Sequence, residues 1–279
     1  MSHDWSHYWR CDGEPLEAMH AHFERHVYHR HSHETYSFGV TETGAQSFTC
    51  RGAARTSAAG MVMAFNPDDP HDGAASDELG FTYRMLHIGP ELVGGALADI
   101  TGRAAGLPLF PDPVISDPVL ARKLLGLHRA LLGGAATLRR DELLPGTIHA
   151  LVRRAAAGST SWSASKAPTS LAAVVAASRA KELISGSYLA DLSLGDLAAA
   201  AGISRFSIHR AFQAAYGMAP SDYQRQLRLR AARQLLARGD PISDAAARTG
   251  FADQSHLTRW FTRYYGVTPG AYQRATQAA

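Results

Sequence analysis

RAFQAAYGMAPSDYQR, residues 210–225, returns as RWFTRYYGVTPGAYQR, residues 259–274. Eight of the sixteen positions are identical at one offset: Arg210/Arg259, Phe212/Phe261, Tyr216/Tyr265, Gly217/Gly266, Pro220/Pro269, Tyr223/Tyr272, Gln224/Gln273 and Arg225/Arg274. Upstream, Asp196 to Gly202 matches Asp244 to Gly250 with the offset shortened by one residue. The C-terminal part of the chain is therefore one unit used twice.

Each copy has the same grammar. Ser193 is predicted to cap a short helix, LGDLAAAA, that stops at Gly202, and Ser204 to cap a second, RFSIHRAFQAAY, that stops at Gly217. In the second copy Ser243 opens DAAART, Gly250 closes it, and Asp253 opens QSHLTRWFTRYY. A short helix, a glycine-containing turn and a second helix make a helix-turn-helix, whose second helix enters the major groove. Ile208 and Phe212, and in the second copy Leu257 and Phe261, fall on the inward stripe. That leaves Arg205, Phe206, His209 and Arg210, and then Gln254, Ser255, His256 and Arg259, as candidate DNA contacts. Arginine can bond guanine in a bidentate fashion and glutamine can pair with adenine. One such helix is as well read as a solvated surface; two copies with the same device favour DNA.

Spacing points the same way. Pro220 and Gly239 bracket 221–238 (SDYQRQLRLRAARQLLAR), a helix of about 27 Å at 1.5 Å per residue. Successive major-groove faces of B-DNA lie about 34 Å apart, so a rigid spacer of this length suits two recognition helices in adjacent grooves. Its Arg225, Arg228, Arg230, Arg233 and Arg238 read as charge for phosphates.

Charge divides the chain. The 279 residues carry a net +3, but residues from Lys166 onward carry +7 and those before it −4. A basic C-terminal third behind an acidic N-terminal part suits a polyanion-binding module carried by something else. With 46% apolar and 19% charged residues the chain can bury a core and is not disordered. Two cysteines, Cys11 and Cys50, make neither a disulfide framework nor a four-cysteine zinc site, and neither has the neighbours of a nucleophile. No apolar run approaches a membrane span, and the first residues lack the apolar core of a signal peptide, so a soluble cytoplasmic protein is expected.

Residues 158–170, GSTSWSASKAPTS, have the composition of a connector. The expected division is residues 1–160, a linker at 161–169, and residues 170–279. Within the first part, 20–88 read as short strands with frequent turns: Tyr36, Phe38 and Val40 share one face, and FTYRMLHI (81–88) alternates in the same way. A small barrel or sandwich follows. After Pro90 the pattern turns helical, at 117–134 and again at 139–158 with Pro145 as a kink or break. These apolar-striped helices need a partner: their own barrel, or the same helices of a second subunit.

Residues 170–275 resemble the DNA-binding domain of the AraC/XylS family of bacterial transcription regulators. The stretch GFADQSHLTRWFTRYYGVTPGAYQR carries the likeness most specifically. The resemblance implies that Phe206, His209 and Arg210, and Gln254, Ser255 and Arg259, sit where the family contacts bases. Residues 29–73, through HRHSHETYSFGVTETGAQSFTCRG and GMVMAFNPDDPHDG, resemble the cupin-like sensor domain often found ahead of such a module. The implied fold is α+β: a cupin-like β-barrel followed by helices, then an all-α domain with two helix-turn-helix units. The implied protein is a homodimeric regulator that binds double-stranded DNA, responds to a small effector such as an amino acid, meets RNA polymerase and controls a neighbouring transport or metabolic gene. His31, His33, Tyr36, Phe38 and His71 are the candidate effector contacts.

Nine of the fourteen histidines fall in the first 71 residues, which raises a metal reading. His31, His33 and His71 could converge on zinc, nickel or iron. Enzymatic cupins add a glutamate about four residues after the H-x-H pair; here Tyr36, Ser37 and Phe38 stand around that place, and Glu34 comes too early. The missing ligand weighs against a metal, so no cofactor is expected. It weighs equally against the alternative of a metal-dependent cupin enzyme with an appended DNA-binding domain. A DNA-repair protein with a reactive cysteine ranks last, and a non-enzymatic regulator is the reading preferred.

Overall fold

The computed structural model describes residues 4–11, 14–101, 106–132, 137–156 and 170–277; the expected linker at 161–169 lies outside them. The chain divides into two compact units, Met1–Tyr28 with Ser32–Trp162 and Arg274–Ala279, and His29–His31 with Ser163–Gln273.

The N-terminal unit is built on antiparallel strands: β1 (Trp5–Arg10), β2 (Leu16–Phe23), β3 (Tyr28–His31), β4 (Tyr36–Cys50), β5 (Ala53–Ala58), β6 (Val62–Phe65), β7 (His71–Ala75), β8 (Phe81–Ile88) and β9 (Val114–Ile115). The main path runs β1-β2-β8-β4-β6-β9. β4 is long enough to serve two sheets. Its first half pairs with β8 and β6, its second with β5 and β7, and a bulge between Thr41 and Thr43 marks the change. Strand pairing holds β3 in the same structure, against β7. The fold is cupin-like, but the path is open at β1 and β9 and the barrel does not close.

The strands begin earlier than the sequence suggested. β1 and the start of β2 precede residue 20, and Cys11, expected in a loose terminus, is buried with its backbone N–H donated to the Leu16 carbonyl.

The two faces of the central strands do different work. Leu16, Ala18, Tyr36, Phe38, Val40, Val62, Ala64, Leu86 and Ile88 pack against α1 (Pro90–Thr101), α2 (Pro118–Leu132) and α3 (Thr137–Ala155). From α2 come Leu120, Leu124, Leu127 and Leu131, the 3.6-period stripe read in the sequence. At roughly 1.5–3 kcal/mol per buried leucine, these side chains hold the helix to its own sheet. The apolar stripe of these helices is therefore covered within the chain. Pro145 does not break α3, which runs through it.

The opposite face carries Met19, Ala21 and Phe23 of β2, Ser37, Gly39 and Thr41 of β4, Met63 and Phe65 of β6, and Phe81, Tyr83, Met85 and His87 of β8. Gly39 is required there: a Cβ would lie 2.7 Å from the Met63 methyl and 2.9 Å from that of Met85.

The C-terminal unit is helical: α4 (Leu171–Gly186), α5 (Leu194–Ala201), α6 (Arg205–Tyr216), α7 (Pro220–Ala237), α8 (Ile242–Arg248), α9 (Gln254–Tyr265) and α10 (Pro269–Gln277). Ala176, Ala180 and Ile184 of α4 meet Leu197, Ala198 and Ala201 of α5 and Ile208 and Phe212 of α6 in one core. Among the described residues no helix is long and apolar enough to cross a membrane.

Candidate nucleic-acid interface and sensor face

Both short-helix pairs form, three of their four helices as the capping residues dictate. Ser193 makes a full capping box with Asp196, Ser204 accepts from Ser207 N–H, and Asp253 accepts from His256 N–H. Gly217 and Gly266 end α6 and α9 at the same φ of 69°, a left-handed value that costs a side-chain-bearing residue energy. α8 departs from expectation. It starts at Ile242 after Pro241, without a side-chain cap, and Ser243 lies inside it.

In α6 Arg205 and Arg210 are exposed and His209 is half-buried. Phe206 lies in α6, but its side chain is outside those described. Arg205 leans back over the start of α5, where a Cβ on Gly195 would stand 2.8 Å from its guanidinium. In α9 Gln254, Ser255 and Arg259 are exposed, while Leu257 and Phe261 are fully buried. His256 is held differently. The Trp260 indole N–H donates to its Nε2 at 3.0 Å, which ties the ring to its own helix one turn on. It is the least available of the α9 candidates.

The spacer helix corrects the sequence reading of its arginines. Arg225 pairs with Asp222 and lies 3.8 Å above the Trp260 ring. Arg228 donates to the carbonyls of Tyr188, Ala190 and Gly250 at 2.8–3.0 Å. Arg233 stacks over Tyr265. These three brace the unit rather than stand free for phosphates. The repeated glutamine is a brace too: Gln224 donates to the Tyr188 and Ala190 carbonyls, and its counterpart Gln273 to that of Asp240.

In the N-terminal unit the His33 and His71 rings stand 5.4 Å apart, centroid to centroid, and His71 Nδ1 lies 2.8 Å from the Asp69 carbonyl oxygen; His31, in the other unit, is buried with its Nδ1 2.6 Å from the His29 carbonyl oxygen. Tyr36 and Phe38 do not join them. Both are about 1% exposed on the helix-facing side of β4, and Tyr36 donates its hydroxyl to the Pro108 carbonyl at 2.8 Å. Burial pushes the Tyr36 phenol up to about 12. Strand alternation grouped these aromatics correctly, but could not say which face the helices cover.

The residue missed is His87. It lies on the same face as Ser37, which accepts or donates at 2.8 Å to its Nδ1, and its ring centroid is 4.6 Å from that of His33. The signal was present: Phe81, Tyr83, Met85 and His87 alternate along one face of FTYRMLHI. Further along this face the Tyr28 and Tyr83 hydroxyls meet at 2.7 Å, and burial raises both phenols above their ordinary range. Thr41 joins Ser57 at 2.8 Å and accepts from Gln46. The face is thus apolar with buried polar groups, the lining a small-molecule site needs.

Comparison with known proteins matches both units. Residues 15–148 match the AraC-like ligand binding domain, and residues 197–275 a helix-turn-helix domain. The HTH-type transcriptional regulator YbfI of Bacillus subtilis is 29% identical over 227 residues, covering 81% of this chain and 80% of that one. The transcriptional activator NphR of a Rhodococcus species is 40% identical over 86 residues, 30% of this chain and 25% of that one. In structure, apo ToxT K231A of Vibrio cholerae aligns with a TM-score of 0.58 over 96% of this chain and all of that one, at 12% identity. ToxT with an unsaturated fatty acid bound aligns at 0.52 and 12% identity over 100% and 97% of the two chains. A ligand-binding domain and a duplicated helix-turn-helix follow each other in one sequence, and the chain belongs to the AraC family of DNA-binding transcription regulators.

Proposed function

We propose that this regulator reads a specific DNA site with Arg210 of α6 and Gln254, Ser255 and Arg259 of α9, with Arg205, Phe206, His209 and His256 flanking them. The observation that carries this reading is the duplicated helix pair whose second helices each start on a capping side chain, end at a left-handed glycine and keep polar side chains exposed beside a buried apolar stripe. Residues 1–160 then form the effector domain and 170–279 the DNA-binding domain, joined by a linker at 161–169. The effector is a small polar metabolite, of the amino-acid class, held against the face that carries His33, His71 and His87. Its occupancy changes how well the two units engage DNA. The protein works as a cytoplasmic homodimer that contacts RNA polymerase at a neighbouring gene, and it carries no catalytic site.

Arg259→Ala tests the DNA reading. Site-specific binding should weaken by about 1–3 kcal/mol, with preference relaxed at one base position. Unchanged affinity and preference would overturn the assignment of α9. A thermal-shift screen of amino acids and small acids tests the effector class. It should include an unsaturated fatty acid, since ToxT binds one. Stabilisation by the fatty acid alone would replace the polar effector with a lipid.

A further inference from the structure

The second helices of the two duplicated pairs expose different stretches. In α9 the exposed side chains are Gln254, Ser255 and Arg259, all in its first half. Its second half is taken up by the fold: Tyr264 is buried, and Thr262, Arg263 and Tyr265 are half-buried. In α6 exposure runs on past Arg210, through Gln213, Ala214 and Ala215.

The repeat shows why. At the offset of the duplication, Ala211, Ala214 and Ala215 correspond to Trp260, Arg263 and Tyr264. The larger side chains are engaged within the unit: Arg225 of α7 stacks on Trp260, and Arg263 lies 5.2 Å from the same ring. The alanines of the first copy make no such cover and leave no bulk beside Gln213, so this end of α6 can approach a surface closely. Its first turn is meanwhile occupied. Arg205 leans over Gly195 at the start of α5, and His209 is half-buried.

Gln213 differs from the glutamines that hold the unit together. Gln224 and Gln273 commit their amides to backbone carbonyls, and Gln226 is buried. Gln213 is exposed, and among the described residues its side-chain amide makes no hydrogen bond. Its backbone carbonyl accepts from the Gly217 N–H, so the helix is regular up to its cap. Ile208, Ala211 and Phe212 are buried on one side of α6, which puts Arg210 and Gln213, at i and i+3, together on the other.

We propose that Gln213 is a further specificity-determining residue, which reads an adenine in the major groove next to the base pair met by Arg210. This rests on the reading that α6 enters the groove. Three residues of helix advance by about 4.5 Å, against about 3.4 Å from one base pair to the next, so the two side chains meet neighbouring pairs. A carboxamide presents a donor and an acceptor that match adenine N7 and N6. Recognition helices commonly read with their first turns. α9 keeps that arrangement, whereas α6 reads from its middle and far end.

The test uses the full chain and a randomised duplex library, from which wild type, Arg210→Ala, Gln213→Ala and Thr262→Ala each select their sites. Gln213→Ala should lose an adenine preference at one base pair, adjacent to the one lost by Arg210→Ala, and bind the wild-type site about 10-fold more weakly. Thr262→Ala, its counterpart in the second copy, should keep every preference. Replacing N7 of that adenine by carbon removes the acceptor, and should weaken wild type while leaving Gln213→Ala unaffected. Alanine suits an exposed helix position, so the variant should fold, and a thermal melt verifies it. A shift with Arg210→Ala but none with Gln213→Ala would overturn the role of Gln213 alone. No shift with either would take α6 out of the groove, and this inference with it. Weaker binding by Gln213→Ala with every preference kept would make Gln213 a phosphate contact instead.

Discussion

The guanidinium of Arg225, on the spacer helix, stacks 3.8 Å above the indole ring of Trp260, on the second recognition helix. Asp222 holds the same guanidinium from within the spacer helix, and Arg263 approaches Trp260 as well. The pose of α9 on α7 thus depends on a cation–π contact between one side chain of each. Trp260→Ala removes the contact and a half-buried ring, and should lower stability by about 2 kcal/mol. Arg225→Ala should cost less, on the order of 1 kcal/mol. Urea titration of both variants measures the difference. Equal stability of Trp260→Ala and wild type would show that the stack carries nothing.

Arg228 separates a structural arginine from a DNA-binding one. Its fork spans the carbonyls after α4 and that of Gly250, which closes the first helix of the second unit. Lysine is a point donor and cannot reproduce this fork. Arg228→Lys should destabilise the protein by about 1 kcal/mol, because the part-buried Tyr188 carbonyl and the exposed Ala190 and Gly250 carbonyls lose a shared donor. The slope of log K against log salt should be unchanged. A slope smaller by about one would mean that Arg228 sits on a phosphate instead.

Gln254 and His256 should behave oppositely although they are two residues apart. Gln254 is exposed at the start of α9, so Gln254→Ala should relax preference at one base pair by about 1–3 kcal/mol and leave stability alone. His256 accepts from Trp260, so His256→Ala should lower stability by about 1 kcal/mol with base preference retained. Selection from a randomised operator library, run beside thermal melts, measures both quantities.

Acid should loosen the N-terminal unit through His128. This ring, on the buried face of α2, donates Nε2–H to the Met19 carbonyl at 2.9 Å and accepts from Arg84 at Nδ1. Burial is the main cause that lowers its pKa from 6.5 to about 4, and His20 nearby is also lowered, chiefly by burial. The folded state refuses a proton that the unfolded chain takes. The stabilisation is therefore complete above pH 6.5 and is lost as pH falls towards 4, on the order of 3 kcal/mol. His128→Gln should be less stable at pH 7 and show a shallower acid slope. Parallel slopes in melts from pH 7.5 to 4.5 would remove His128 as the cause.

Much of the C-terminal unit was legible because its signals are local. Ser193, Ser204, Asp253, Gly202, Gly217 and Gly266 each act on residues within one helical turn, and each helix end lies where they put it. Ser243 misled and is not the cap, since Pro241 takes the N-cap position and α8 starts at Ile242 without a side-chain cap. The spacer arginines misled for another reason: charge says what a side chain can pair with, and only its neighbours decide between phosphate, carbonyl and aromatic ring. In the N-terminal unit, Asp12-Gly13 and Pro15 are turn signals between β1 and β2, but WSHYWR shows no apolar–polar alternation, so only its pairing with β2 reveals β1 as a strand.

The sequence by itself determined the duplication, the helix-turn-helix grammar, the division of charge and the side chains that share a face of each strand. These follow from periodicity and capping, which operate over a few residues. Tertiary structure alone decided that the Tyr36 face meets the helices and the Ser37 face does not, and that His87 stands beside His33. It also decided that Arg228 bridges carbonyls 38 to 40 positions before it and 22 after. Those outcomes depend on pairing between segments far apart in the chain, where burial and hydrogen-bond satisfaction select one neighbour among many that local propensity would allow.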